Sequence, residues 1–160
     1  MKKIEHQFTI EEYQLEELNA TEQSLMHKAT TATQLSYSPY SNFKVGCAIL
    51  LENGETVVGA NQENAAYPIC LCAEGVALAN ATANHHKVPI LSMAITIATL
   101  NQKVQDPVAP CGLCRQSILE YENRQQKNIS IYLKGEGKKV YKVNSIKDLL
   151  PLNFSDKDLS

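Results

Sequence analysis

Three cysteines in two short clusters constrain this chain more than any other feature. Cys111 and Cys114 stand three residues apart just after Pro110, at a predicted helix start where side chains so spaced can face one point. Alone, such a pair leaves metal binding, redox chemistry and coincidence open. Cys72 adds a third thiol at a second predicted helix start, with Glu74 two residues on. A helix N-terminus favours thiolates through its unpaired N–H groups and its dipole. Three protein ligands leave the fourth tetrahedral position of a zinc ion open to water, the catalytic arrangement, whereas a fourth ligand such as Cys70 would close it into a structural site.

The remaining cysteines fit this setting. Five in all, Cys47, Cys70, Cys72, Cys111 and Cys114, make an odd number without the spread of a disulfide framework. Cys47 reads as a small core residue. Cys70 shares the strand-to-helix junction with Cys72, would point elsewhere if that stretch is extended, and reads as a buried structural cysteine. The histidines His6, His27, His85 and His86 are scattered and read as solvated.

At 160 residues, 44% hydrophobic and 20% charged, the chain suits one domain with its own core. A net charge of −2 without a run of Lys or Arg excludes the electrostatic footprint of a nucleic-acid binder and favours small, weakly charged partners. No apolar stretch of about 20 residues could span a bilayer, and none follows the N-terminal lysines as in a secretory signal. A cytoplasmic protein is expected.

Asn19 followed by Glu22 predicts a helix cap, with the helix running to about Gln34. Phe43 to Leu51 and Thr56 to Ala60 read as strands of a hairpin turned at Asn53-Gly54. Helices are expected from Cys72 to Ala83 and from Cys111 to about Gln125, the latter opened by Pro110. The apolar run Ile90 to Ala98 suits a strand covered on both faces. Ile129 to Leu133 and Val140 to Val143 read as two more strands, and a short terminal helix from Asn144 stops at Pro151. The order predicts an α/β three-layer sandwich: one mixed sheet, antiparallel at the hairpin end, with helices on both faces. Residues 1–18 are expected to be an N-terminal extension packed on a single domain of residues 19–160.

The segments Cys72-Ala73-Glu74 and Pro110-Cys111-Gly112-Leu113-Cys114 match the signature of zinc deaminases with cysteine in place of the usual histidine. The stretch Tyr37 to Gly46, the run Asn61 to Tyr67, Arg115-Gln116 and Leu149 to Phe154 extend the match, in order, so that the chain from about Leu18 onward resembles the small cytidine deaminases. The resemblance implies the cytidine deaminase-like sandwich, pyrimidine salvage and one zinc ion per subunit on Cys72, Cys111 and Cys114, with Glu74 as proton shuttle. It implies that Phe43 packs on the pyrimidine, that Asn61 and Glu63 bind the ribose hydroxyls, and that the Ala73 backbone helps read the base. Tyr67 stands in a matched block as a further substrate-binding candidate, although it and Phe43 could be core aromatics and Glu63 a solvated carboxylate. Phe154 would close the pocket of a neighbouring subunit in a homotetramer. The chemistry is consistent on its own terms, because zinc brings water towards ionisation at neutral pH and a nearby carboxylate outside the ligand set can move the proton.

One position departs from the pattern. Family members with three cysteine ligands usually follow the Cys-Ala-Glu segment with an arginine that donates to the thiolates, and here Gly75 stands there. Zinc with three thiolates carries an excess charge of −1, so another donor is expected. Arg124 lies about 13 Å further along the helix than Arg115 at the usual rise. Arg115 is therefore the expected guanidinium donor, with neighbouring Gln116, beside first-turn N–H groups of both helices. Two other readings remain: a deaminase of another cytosine nucleoside, such as a blasticidin-type antibiotic, and a zinc-stabilised nucleoside-binding protein without turnover. Cytidine and deoxycytidine are not separable here, since both carry the 3′-hydroxyl.

Overall fold

Helix α1 (Ala20–Ala32) begins at the expected cap. Asn19 accepts the Glu22 N–H at 3.0 Å while the Glu22 carboxylate accepts the Asn19 N–H at 3.1 Å, satisfying two orphan donors reciprocally. The helix tightens into a 3-10 turn at Thr33–Leu35. Strands β2 (Phe43–Leu51) and β3 (Thr56–Ala60) then pair antiparallel. Their turn spans three residues, closed by Leu51 N–H to Glu55 O at 2.9 Å, and Gly54 supplies its left-handed residue at φ 85°. The structure is a computed structural model that describes residues 1–100 and 103–159.

Helix α2 (Ala73–Asn84), strand β4 (Ile90–Thr99), helix α3 (Gly112–Gln125), and strands β5 (Ser130–Lys134) and β6 (Lys139–Val143) follow, then a 3-10 turn at Ile146–Leu149. Pro110 does not occupy the first turn of α3 as expected but precedes its cap, Cys111, by one residue. With strand β1 (Glu11–Gln14) the sheet has six strands in the order β1-β6-β5-β4-β2-β3. Among the described strands only β4 and β5 run parallel, joined through α3, so the sheet is mixed as predicted. Part of the expected extension is thus an edge strand, held by backbone pairing to β6 from Glu11↔Lys142 to Gln14↔Lys139.

Alternation along the strands separates two cores. Cys47, Ile49, Met93, Ile95, Ile131 and Leu133 face α2 and α3, while Ala48, Ala94 and Tyr132 face α1. Under α1 the strands β2 and β4 present the small residues Gly46, Ala48 and Ala94, which lets the helix come close. At Gly46 a Cβ would meet the Ala29 carbonyl oxygen at 2.1 Å, and at Gly59 one would meet the Ala77 nitrogen of α2 at 2.4 Å. Both helices are therefore seated directly on strand backbone, with β2 fixing the height of α1 over the sheet and β3 that of α2. Among the described residues no helix is long and apolar enough to cross a membrane.

Candidate metal centre and cavity

Cys72 and Cys111 are the N-caps of α2 and α3, both in extended conformation, and Cys114 lies in the first turn of α3. Neither N-cap thiol bonds back to its own helix, so both sulfurs are left to a common partner. The Sγ atoms of Cys72 and Cys111 are 3.9 Å apart, and all three sulfurs lie within 4.8 Å of one another. Tetrahedral zinc with Zn–S bonds near 2.3 Å places its sulfurs about 3.8 Å apart, so this donor set fits that ion. Cys70, the alternative fourth ligand, stands outside the cluster. Its sulfur accepts the Asn64 N–H at 3.2 Å and faces Asn64 O at 3.6 Å. Cys70 is also half-buried rather than buried as expected, because the 3-10 turn Tyr67–Ile69 leads into it and folds its side chain back on Asn64.

The three thiols lie within hydrogen-bonding reach of one another. A hydrogen bond from Cys114, assisted by Cys111, brings the Cys72 thiol down to about 6 and raises Cys114 correspondingly. Glu74 follows Cys72 by two residues, is 4% exposed, and has its carboxyl pushed above the ordinary range by burial. It lies within hydrogen-bonding reach of the Cys114 thiol. A carboxyl whose proton affinity is raised by burial beside a metal-binding cluster is the kind of group that can both take and give a proton.

A cavity of about 310 Å³ opens over this cluster. Phe43 and Val45 of β2, Ile95 and Ile97 of β4, and Val108 and Ala109 before α3 supply its apolar walls, and Cys72, Ala73, Glu74 and Cys111 meet it at the metal end. Asn61, Glu63 and Tyr67 line it as well. Tyr67 is 69% exposed and packs edge-on against Tyr40, so it is no core aromatic. Val45, Ile95 and Ile97 were not singled out from sequence, although the two-residue period that places Phe43 also places Val45, and Val45 pairs with Ile97.

The polar residues of the cavity are already engaged. The Asn61 side-chain oxygen accepts from Val45 N–H at 2.8 Å and the Ser36 hydroxyl at 2.6 Å, and its amide donates to Phe43 O at 2.9 Å. Glu63 accepts from Tyr40 N–H at 2.9 Å, Ser41 N–H at 3.3 Å and the Ser41 hydroxyl. The Ser41 hydroxyl bond, with those backbone donors, holds Glu63 below the usual carboxylate range. An amide nitrogen carries two N–H groups and a carboxylate about four lone pairs, so each side chain keeps one position to spend on a ligand.

Among the described residues, the hydrogen bonds of Arg115 go to backbone carbonyls. Its Nε donates to Pro110 O at 2.8 Å and its Nη1 to Leu149 O at 2.8 Å, because the first turn of α3 aims the side chain at the C-terminal segment. Gln116 donates to Phe154 O at 2.9 Å, so the two residues together tie residues 149–154 to the metal end of α3. Phe154 itself is 57% exposed and lies outside the lining of this cavity. A Cβ at Gly75 would meet nothing within 4 Å, so sterics do not require glycine there.

Residues 19–129 match the family described as the cytidine and deoxycytidylate deaminase zinc-binding region. A cytidine deaminase of Halalkalibacterium halodurans is 33% identical over 138 residues, covering 86% of this chain and 97% of that protein. A cytidine deaminase of Mycoplasma genitalium is 35% identical over 120 residues, 74% of this chain and 84% of its own. The crystal structure of cytidine deaminase from Burkholderia pseudomallei superposes with a TM-score of 0.72 at 35% identity, covering 82% of this chain and 97% of that one.

Proposed function

The chain belongs to the cytidine and deoxycytidylate deaminase family, and from that premise we propose that it hydrolyses the 4-amino group of cytidine and deoxycytidine, yielding uridine or deoxyuridine and ammonia. The observation that carries this reading is a buried carboxyl, Glu74, set against three thiols gathered for one ion at the end of a nucleoside-sized cavity. Cys72, Cys111 and Cys114 would hold one zinc ion per subunit, which when bound supplies Lewis-acid activation of water near neutral pH. Glu74, outside the ligand set, accepts the proton that the attacking water releases and passes it to ring N3, making C4 electrophilic. It then delivers a proton to the departing amine.

Phe43 packs on the base, with Tyr67 at the outer wall. The Ala73 backbone reads the base beside Glu74. The free N–H of Asn61 and the free lone pair of Glu63 bind the ribose hydroxyls, an assignment supported by what their other bonds leave over. Residues 19–160 form the deaminase domain, and residues 1–18 are an extension that contributes the edge strand. The subunits assemble as a homotetramer in which Phe154 closes a neighbour's site, and the exposed Tyr37, Tyr40, Ile69, Leu71 and Leu113 support such an interface. The enzyme works in the cytoplasm in pyrimidine salvage.

The test is metal analysis joined to an ultraviolet assay on both nucleosides. Turnover with one zinc per subunit, lost together with the metal on chelation, is the expected result. A zinc-loaded protein that binds cytidine without converting it would replace the enzyme by a binding protein.

A further inference from the structure

The turn between β5 and β6, Gly135-Glu136-Gly137-Lys138, is pressed against residues 104–106, which follow β4 in the chain. A Cβ at Gly135 would meet Asp106 O at 2.2 Å and Val104 O at 2.6 Å, and one at Gly137 would meet Gln105 O at 2.6 Å. Only glycine permits that approach at either position. Between them the Glu136 carboxylate accepts hydrogen bonds from Thr99 N–H at 3.2 Å, the Thr99 hydroxyl at 3.0 Å and Val104 N–H at 2.9 Å. The backbone closes the contact, with Glu136 N–H on Val104 O at 2.7 Å and Gly137 N–H on Gln105 O at 3.1 Å. Lys139 reaches Asp106 at 3.3 Å.

This grip lies upstream of the cavity wall. Two residues past Asp106 the same loop becomes Val108 and Ala109, which line the cavity, and then reaches Cys111. Pro107 and Pro110 flank them, each with φ locked by its ring, so a shift at residues 104–106 has little slack in which to dissipate. Because Val108 and Ala109 adjoin Cys111, they bound the end of the cavity where the amine-bearing edge of a base must meet the metal cluster. The sugar-facing residues Asn61 and Glu63 belong to other segments.

We infer that the Gly135-Glu136-Gly137 turn is a clamp on the cavity wall and that Glu136 is a positioning residue limiting the room around the substrate's exocyclic amine. The specificity half of this inference rests on the cytosine-nucleoside reading; the clamp itself does not. A small misplacement of such a wall, caused by a change at a residue remote from the reacting atoms, is enough to alter turnover and selectivity.

The experiment compares the zinc-loaded wild type with Glu136→Ala and Glu136→Gln by hydrogen exchange and by kinetics on cytidine and N4-methylcytidine. In Glu136→Ala, peptides spanning residues 103–109 should exchange about tenfold faster, as loss of a charge-assisted anchor implies. Zinc content should stay at the wild-type level. KM for cytidine should rise about fivefold with kcat within about twofold, and the preference for cytidine over N4-methylcytidine should fall about fivefold. Glu136→Gln keeps a carbonyl oxygen for Val104 N–H and should recover most of both effects. Should Glu136→Ala fail to fold, Thr99→Val withdraws one donor and should move the same readouts by about twofold. Unchanged exchange in residues 103–109 overturns the clamp. Faster exchange with unchanged selectivity overturns the positioning role. A wild type inactive on cytidine overturns the functional reading and the specificity claim with it, while the exchange arm still decides the clamp.

Discussion

Glu74 is 4% exposed and sits beside Cys114, with burial raising its carboxyl above the ordinary range. A group so placed should be needed for proton transfer and not for holding metal. Glu74→Gln is therefore expected to keep zinc and fold while kcat falls by at least about 100-fold, the lower range for loss of a general acid–base. Single-turnover kinetics with zinc quantification checks this, and a variant keeping a tenth of wild-type kcat would remove Glu74 from the role. Gly75 gives a second prediction with a sign. Nothing crowds that position, and three thiolates leave excess negative charge at the metal, so Gly75→Arg places a cation where it favours ionisation of water. The acid limb of kcat/KM should move to lower pH, and a pH profile that stays put or moves upward would show that the cluster's charge is already offset. The thiol cluster was legible in the sequence because ligand spacing is local to two helix starts. The commitments of Cys70 and Arg115 were not, since they depend on where the Asn64 backbone and the Pro110 and Leu149 carbonyls land in three dimensions.

At the scale of elements, the capping box of α1, the β2–β3 hairpin and the doubly covered β4 follow from periodicity and turn chemistry alone. Strand β1 does not, because its sequence Glu11-Glu12-Tyr13-Gln14 is mostly charged and polar, and the open edge of β6 is what makes it a strand. Glu122 is the other illegible element. It reads as an ordinary helical glutamate, yet it is 2% exposed and accepts from Ile129 N–H at 2.9 Å, Ile146 N–H at 3.1 Å and the Ser145 hydroxyl at 2.7 Å. One carboxylate thus joins the end of α3, the residue before β5 and the 3-10 turn Ile146–Leu149, and with Arg115 it ties the C-terminal segment to the helix that carries two of the thiols. Glu122→Ala leaves two backbone donors buried without their acceptor and should cost on the order of 3 kcal/mol. Urea unfolding of the two proteins measures it. A loss below about 1 kcal/mol would mean that the segment is held by apolar packing instead.

At the scale of the whole molecule, several apolar residues left in the open belong to the segments that carry the site. Tyr67 is 69% exposed, Leu71 56%, Leu113 74% and Phe154 57%. If Phe154 acts on a neighbour, its effect and that of Glu74 belong to different subunits, and this separates a shared site from a private one. Phe154→Ala alone should raise KM for the nucleoside with little change in kcat, and Glu74→Gln alone should not turn over. In oligomers co-expressed from both variants, some sites combine Glu74 of one subunit with Phe154 of another and regain the wild-type KM. Activity at low cytidine should then exceed the sum of the two variants measured separately, with a saturation curve of two phases. Size-exclusion with light scattering on the same samples reports whether an oligomer is present at all. Strictly additive activity from a mixed oligomer would place Phe154 on its own subunit's site or on none, and a monomer with normal KM would remove the shared site altogether.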